Sequence, residues 1–232
     1  MVEIKGLEKF GPKDFPGYIS STIFVGGCNF KCPYCHNSEL VLRAASLPSF
    51  PLDYFISFLD SRKGWLEGIC VTGGEPLLHE DLEVLLSIIK DRNLLVKVDT
   101  NGSFPFRLEK LIDKGLVDSV AMDIKNSWEK YEQTAGVKVK ISDIKKSIDI
   151  IRNSGLDYIF RTTVVPGLVE EEDIRKIGLM LKGSKIFQLQ QFMPNNTLDK
   201  LYRKKKPYSS QEIKALAKVA QTYFEQVKIE GI

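Results

Sequence analysis

Ile19-Ser20-Ser21-Thr22-Ile23-Phe24-Val25-Gly26-Gly27-Cys28-Asn29-Phe30-Lys31-Cys32-Pro33-Tyr34-Cys35-His36-Asn37 is the stretch on which the fold turns. Residues 19–25 are rich in Ile, Phe, Val and Thr and run into glycines, the pattern of a short buried strand. A Cys-x3-Cys-x2-Cys loop follows at once. Gly26 and Gly27 let the backbone turn sharply there, and Pro33 stiffens the second half of the loop. Three thiolates so close in sequence can converge on one metal centre. A [4Fe–4S] cube held by four cysteines is closed, whereas one held by three keeps an iron for a ligand that is not protein.

Other chemistries compete for the same loop. Zinc accepts a Cys3His set, here Cys28, Cys32, Cys35 and His36, although a histidine directly after the third cysteine reaches a tetrahedral corner poorly. With zinc the chain would be a metal-stabilised interaction module and not an enzyme. A disulfide framework fits badly, because 4 cysteines in 232 residues are too sparse for a secreted scaffold. Cys70 sits in the apolar segment Gly68-Ile69-Cys70-Val71 and reads as a buried strand residue, free cysteine being a small hydrophobe.

Outward from the loop, strand and helix patterns alternate. Further strands are expected at 68–71, 94–98, 117–122, 158–165 and 186–190, with a small extra one at 227–229. Helices are expected at 51–59, 80–91, 106–114, 142–153, 171–181 and 209–224. Ser142 is the expected cap and Gly155 the expected stop of the 142–153 helix, while Ser209-Ser210-Gln211-Glu212 has capping-box spacing. Such repetition is the rhythm of βαβ units, and six strands are fewer than the eight that close a barrel. The expected fold class is α/β: a partial (β/α)6 TIM-like barrel open on one side. Its core spans roughly 18–190, a C-terminal helix and strand occupy 209–230, and all of 1–232 forms one domain. In parallel barrels the loops after the strands carry the chemistry.

Three signatures follow three successive strands: the cysteine loop, Gly73-Gly74-Glu75-Pro76 and Asp99-Thr100-Asn101-Gly102. Together they resemble the radical S-adenosylmethionine enzymes. The opening Phe10-Gly11-Pro12-Lys13-Asp14-Phe15-Pro16-Gly17, with Met122-Asp123-Ile124-Lys125 and Val165-Pro166-Gly167, makes the chain most similar to the glycyl-radical activating enzymes. Among those it is most similar to the activating proteins of anaerobic ribonucleoside-triphosphate reductase, over roughly residues 7–170.

The resemblance implies a [4Fe–4S] cluster on Cys28, Cys32 and Cys35 whose free iron chelates S-adenosylmethionine, and reductive cleavage of that cofactor to a hydrogen-abstracting 5′-deoxyadenosyl radical. It also implies cofactor contacts. Gly73, Gly74 and Glu75 would meet the amino group; Tyr34 would lie on or near the adenine, with His36 and Asn37 helping to seat it. Thr100 and Asn101 would meet ribose or carboxylate, joined by Asp123 and Lys125 from the fourth strand and Arg161 from the fifth. Plainer readings stand beside these: a glycine turn at 73–74, an Asn-Gly turn at 101–102, a strand-end salt bridge at Lys125, a packed or solvent-facing His36, and an ion pair at Arg161.

By the same resemblance, the expected substrate is a glycine of anaerobic ribonucleotide reductase, with flavodoxin or ferredoxin as electron donor. Pyruvate formate-lyase, another glycyl-radical enzyme, or a small molecule such as a deazapurine precursor are the alternatives. A formal charge of +3 over a mixed surface argues for neither nucleic acid nor membrane. No basic-then-apolar leader opens the sequence and no stretch is long enough to span a bilayer, so a cytoplasmic location is expected. The run Arg203-Lys204-Lys205-Lys206 reads as a solvated loop or as a docking patch for a partner or reductant.

Overall fold

The computed structural model describes residues 2–232. Among them, one eight-stranded sheet takes the strands in sequence order. β1 (Ile4–Glu8) runs antiparallel to β2 (Ser20–Val25). From β2 onward each strand is parallel to the next: β3 (Gly68–Gly73), β4 (Leu95–Thr100), β5 (Ser119–Asp123), β6 (Asp157–Val164), β7 (Ile186–Gln191) and β8 (Gln226–Glu230). No pairing returns from β8 to β1 among the described residues, so the sheet does not close.

The parallel wall therefore has seven strands and not six, and β1 is a further edge strand that the sequence reading omits. Gly6 interrupts the hydrophobic alternation of β1; a Cβ there would lie 3.1 Å from the Phe24 ring, and the pairing shifts register beside it. The extra strand expected at 227–229 is a full parallel member, registered with β7 from Ile186 to Gln190.

The helices are α1 (Ser38–Leu42), α2 (Leu52–Ser61), α3 (Leu82–Lys90), α4 (Pro105–Asp113), α5 (Tyr131–Ala135), α6 (Ile141–Asn153), α7 (Glu171–Met180) and α8 (Ser210–Ala220). Their apolar stripes face the sheet: Leu82, Leu85, Leu86 and Ile89 of α3 and Ile144, Ile148 and Ile151 of α6 are all buried. Each such side chain contributes about 1.5–3 kcal/mol relative to exposure. At α8 the Ser209 hydroxyl accepts from Glu212 N and the Glu212 carboxylate accepts from Ser209 N, the reciprocal cap expected. Ser142 does not cap α6. The helix begins one residue earlier, with Lys140 at the cap position and no side-chain bond, so Ser142 lies in the first turn. Gly155 follows the helix in the left-handed conformation (φ 75°), as a stop requires.

β4 shows how the two faces of the sheet divide. Val96 and Val98 are fully buried in the apolar core, whereas Lys97 and Asp99 face the lumen. Period-2 alternation thus gives an apolar outer layer under the helices and a polar inner wall. Cys70 is buried in β3 as expected, but on the polar side: its Sγ lies 3.7 Å from both Asp99 Oδ1 and Lys97 Nζ. The segment joining β1 to β2 packs at the N-terminal end of the strands. There Phe15 is buried against Gly68, and Thr22 Oγ1 donates to Asp14 Oδ2 (2.5 Å). Among the described residues no helix is long and apolar enough to cross a membrane.

Candidate active site

The loops after β2 and β3 interlock through their backbones, and the loop after β4 joins them through side chains. Gly74 N donates to Val25 O (2.9 Å) and Glu75 N to Gly27 O (2.8 Å). A Cβ on Gly74 would stand 1.8 Å from Gly27 O, and one on Gly73, at φ 115°, 2.5 Å from Val25 O. The glycine pair is therefore required for two turns to meet main chain to main chain. Two side chains fasten the same junction: Asn37 Nδ2 donates to Gly73 O (3.1 Å) and His79 Nε2 to Gly26 O (2.8 Å). His79 escapes a motif-based reading because it lies outside the Gly-Gly-Glu-Pro signature, beyond a short 3-10 turn at Pro76–Leu78.

Glu75 is 1% exposed. Its carboxylate accepts from Leu77 N (3.0 Å), Thr100 Oγ1 (2.7 Å) and Asn101 N (2.6 Å). Burial pushes its pKa up to about 7 against the pull of those donors. The carboxylate is thus taken up by the chain itself. Thr100 Oγ1 in turn accepts from Gly102 N (3.1 Å), and Asn101 reaches across to Asn29 of the cysteine loop.

Cys28, Cys32, Tyr34, Cys35, His36, Asn37, Gly73, Gly74, Glu75, Thr100, Asn101, Asp123, Lys125 and Arg161 all line one cavity of ≈ 780 Å³. The structure thus brings together the residues expected to hold the cluster and the cofactor. His36 is exposed at the rim and Tyr34 is buried.

Along the inner wall of β4–β6 runs an alternating chain of charges: Lys97, Asp99, Arg161, Asp123, Lys125. Lys97 pairs with Asp99; Arg161 Nη1 meets Asp99 Oδ2 at 2.8 Å and Arg161 Nε meets Asp123 Oδ1 at 2.9 Å; Lys125 Nζ meets Asp123 Oδ2 at 3.0 Å. Burial alone would raise Asp123, but Arg161 and Lys125 outweigh it and hold the carboxyl at about 2. Arg161 is accordingly an ion-pair residue sealed between two carboxylates. Lys125 makes the strand-end salt bridge. Three cations face two carboxylates along this chain, whose two ends are Lys97 and, beside the cysteine loop, Lys125. Lys97 and Asp99 are absent from the sequence-based site; the available signal was polar residues at alternate positions of a strand whose other positions are valine.

The three cysteines carry free thiols, and burial pushes Cys28 and Cys32 up to about 11 and raises Cys35. Among the described residues no group of three or more His, Cys, Asp or Glu side chains is placed to hold a single metal ion. The donor set fits an iron–sulfur cube: three soft sulfurs on one glycine-hinged loop, buried enough that a bare thiolate is costly and iron would compensate it.

The family model of the Radical SAM superfamily matches residues 22–177. Over 99% of its length the chain is 32% identical to a protein of Methanocaldococcus jannaschii described as a glycyl-radical enzyme activating enzyme, 96% of which is covered. It is 28% identical, over 94% of its length and 93% of the relative, to the pyruvate formate-lyase-activating enzyme of Clostridium pasteurianum. A solved domain of a pyruvate-formate lyase-activating enzyme from Bacteroides vulgatus superposes with a TM-score of 0.58, covering 71% of this chain and 99% of that one at 18% identity, a likeness of fold alone.

Proposed function

Because the chain belongs to the radical SAM superfamily, and within it to the glycyl-radical enzyme activating enzymes, we propose that it takes a Cα hydrogen from a glycine of anaerobic ribonucleotide reductase. When bound, a [4Fe–4S] cluster and S-adenosylmethionine supply the reductive cleavage that yields methionine and the 5′-deoxyadenosyl radical needed for that abstraction. Support comes above all from three thiols, one buried and two half-buried, lining a cavity walled by an unclosed sheet.

In this reading Cys28, Cys32 and Cys35 hold the cluster. The Gly73–Glu75 turn offers main-chain groups to the cofactor's amino group, since the Glu75 carboxylate is engaged by Leu77, Thr100 and Asn101. Lys125, the cation at the cysteine-loop end of the chain of charges, takes the carboxylate; Asp123 and Arg161 hold it in place. Tyr34 and His36 attend the adenine, Asn37 fixes the turn, and Thr100 and Asn101 brace the loops. Reduced flavodoxin or ferredoxin supplies the electron, in a cytoplasm that keeps the thiols reduced.

A second reading, activation of pyruvate formate-lyase, draws on the near full-length similarity to the Clostridium pasteurianum enzyme. One experiment separates the two: reconstitute the protein anaerobically, reduce it, and add S-adenosylmethionine with each purified partner. The expected result is deoxyadenosine with a glycyl doublet in the electron paramagnetic resonance (EPR) spectrum of the reductase. A doublet on the lyase alone would transfer the assignment, and deoxyadenosine with neither doublet would reject both.

A further inference from the structure

We propose that Asn101 is a positioning residue for the cluster ligand Cys28: its amide, aimed by Asn29 and Ser103, donates to the Cys28 sulfur and raises the reduction potential of the centre held there. The inference rests on the cysteine loop being a cluster site. Two N–H donors converge on Cys28 Sγ, Phe30 N at 3.4 Å and Asn101 Nδ2 at 3.9 Å.

The side-chain amide is not free to turn. Asn101 Oδ1 accepts from Ser103 N (3.0 Å) and Ser103 Oγ (2.5 Å), and Nδ2 also donates to Asn29 Oδ1 (2.9 Å). Asn29 Nδ2 donates to Ser103 Oγ (2.9 Å), closing a ring of three side chains. Flipping the amide would set oxygen against oxygen at Asn29 and donor against donor at Ser103 N, so the network fixes which end faces the sulfur. The main chain is anchored as well, because Asn101 N donates to the buried Glu75 carboxylate. An ordinary Asn-Gly turn requires none of these bonds.

Lys125 is a charged neighbour of all three thiols, joined by Asp123 at Cys32 and Cys35 and by Glu75 at Cys28. What marks Cys28 is the contact itself: its sulfur is the one that the Asn101 side-chain amide reaches. A donor on a ligating sulfur stabilises the more negative, reduced state of an iron–sulfur centre and so raises its potential.

The test uses the reconstituted full chain without partner, and without S-adenosylmethionine in the potential titration: wild type, Asn101→Ala, Asn101→Asp and Asn29→Ala. Iron and sulfide are counted per chain, and the cluster is titrated against potential by EPR. With cluster content unchanged, the reduced-to-oxidised ratio at a fixed potential should fall about threefold to tenfold in Asn101→Ala, the worth of one hydrogen bond. It should fall further in Asn101→Asp, which sets a carboxylate beside the sulfur, and in the same direction in Asn29→Ala. An unchanged potential in a fully loaded Asn101→Ala would overturn the inference, as would an unchanged potential with weakened S-adenosylmethionine binding by equilibrium dialysis, which would make Asn101 a cofactor contact. Asn29→Ala leaves the turn's main-chain bonds in place; if Asn101→Ala takes up no iron, an unchanged potential there overturns the inference equally. Wild-type chain that takes up no cluster would remove the reading of the loop as well, an outcome distinct from a cluster at unaltered potential.

Discussion

Cys32 and Cys70 are buried and Cys28 and Cys35 half-buried, and of the four only the three cysteines of the loop line the lumen. Replacing any of the three by alanine should abolish iron uptake, read by iron analysis and visible absorbance, whereas Cys70→Ala should retain the cluster and lower stability by about 1 kcal/mol. Asp123 makes a pH-dependent contribution. Its carboxyl is held at about 2, below its ordinary 3.8, so the native state binds the proton more weakly than the unfolded chain does. The stabilisation is in full force above 3.8 and is lost as the pH falls through about 2. With the Asp123 side chain 32% exposed, solvent screening trims the difference to about 1–2 kcal/mol. Denaturant midpoints of the metal-free protein should drop between pH 4 and pH 2, roughly the window of that titration, and Asp123→Asn should flatten the drop while lowering stability at neutral pH. A wild-type midpoint that stays level across the window would contradict this account. Residue-level chemistry was legible in the sequence where a motif carried it. Asp123 and Lys125 stand out as a strand-end pair, but that Arg161 bridges Asp123 to Asp99 depends on three strands lying side by side, which no local pattern encodes.

At the level of elements, the turns after β2 and β3 behave as one unit, because the glycines that end them leave no room for a Cβ between the two backbones. Gly74→Ala should cost about 3 kcal/mol or more and prevent cluster uptake, since the added carbon meets a carbonyl oxygen and not a side chain that can swing aside. Thermal unfolding of the metal-free variant measures the first effect and iron analysis the second. Gly155→Ala is the comparison, since nothing lies within 4 Å of a Cβ there and the strain comes from φ 75° alone; about 1 kcal/mol is expected. The six long helices are readable in the sequence because each carries an apolar stripe over at least two turns. α1 and α5, of 5 residues each, are too short to show a period, and each is held by the cysteine loop it adjoins: Leu40 O accepts from Gly27 N, and Ala135 O from Lys31 N. β1 is equally hidden, because an edge strand containing glycine gives little alternation to read.

Over the whole molecule, parallel strands come in unbroken order from β2 to β8, and both margins of the sheet remain unpaired with each other. Amides of β8 that point away from β7 lack a ladder partner, so in hydrogen exchange they should exchange at least about tenfold faster than those of β3 to β5. Uniform protection across all the parallel strands would mean that something covers that margin in solution.

Residues from both margins, Glu8 of β1 and Lys228 and Glu230 of β8, line the same lumen as the cysteines. A ring of strands would admit only what can drop through its rim, or a chain fed in by its free end. A wall with a slot down its side can receive the bend of a continuous polypeptide broadside, both arms trailing outside, so a target glycine need not sit at a terminus to be reached.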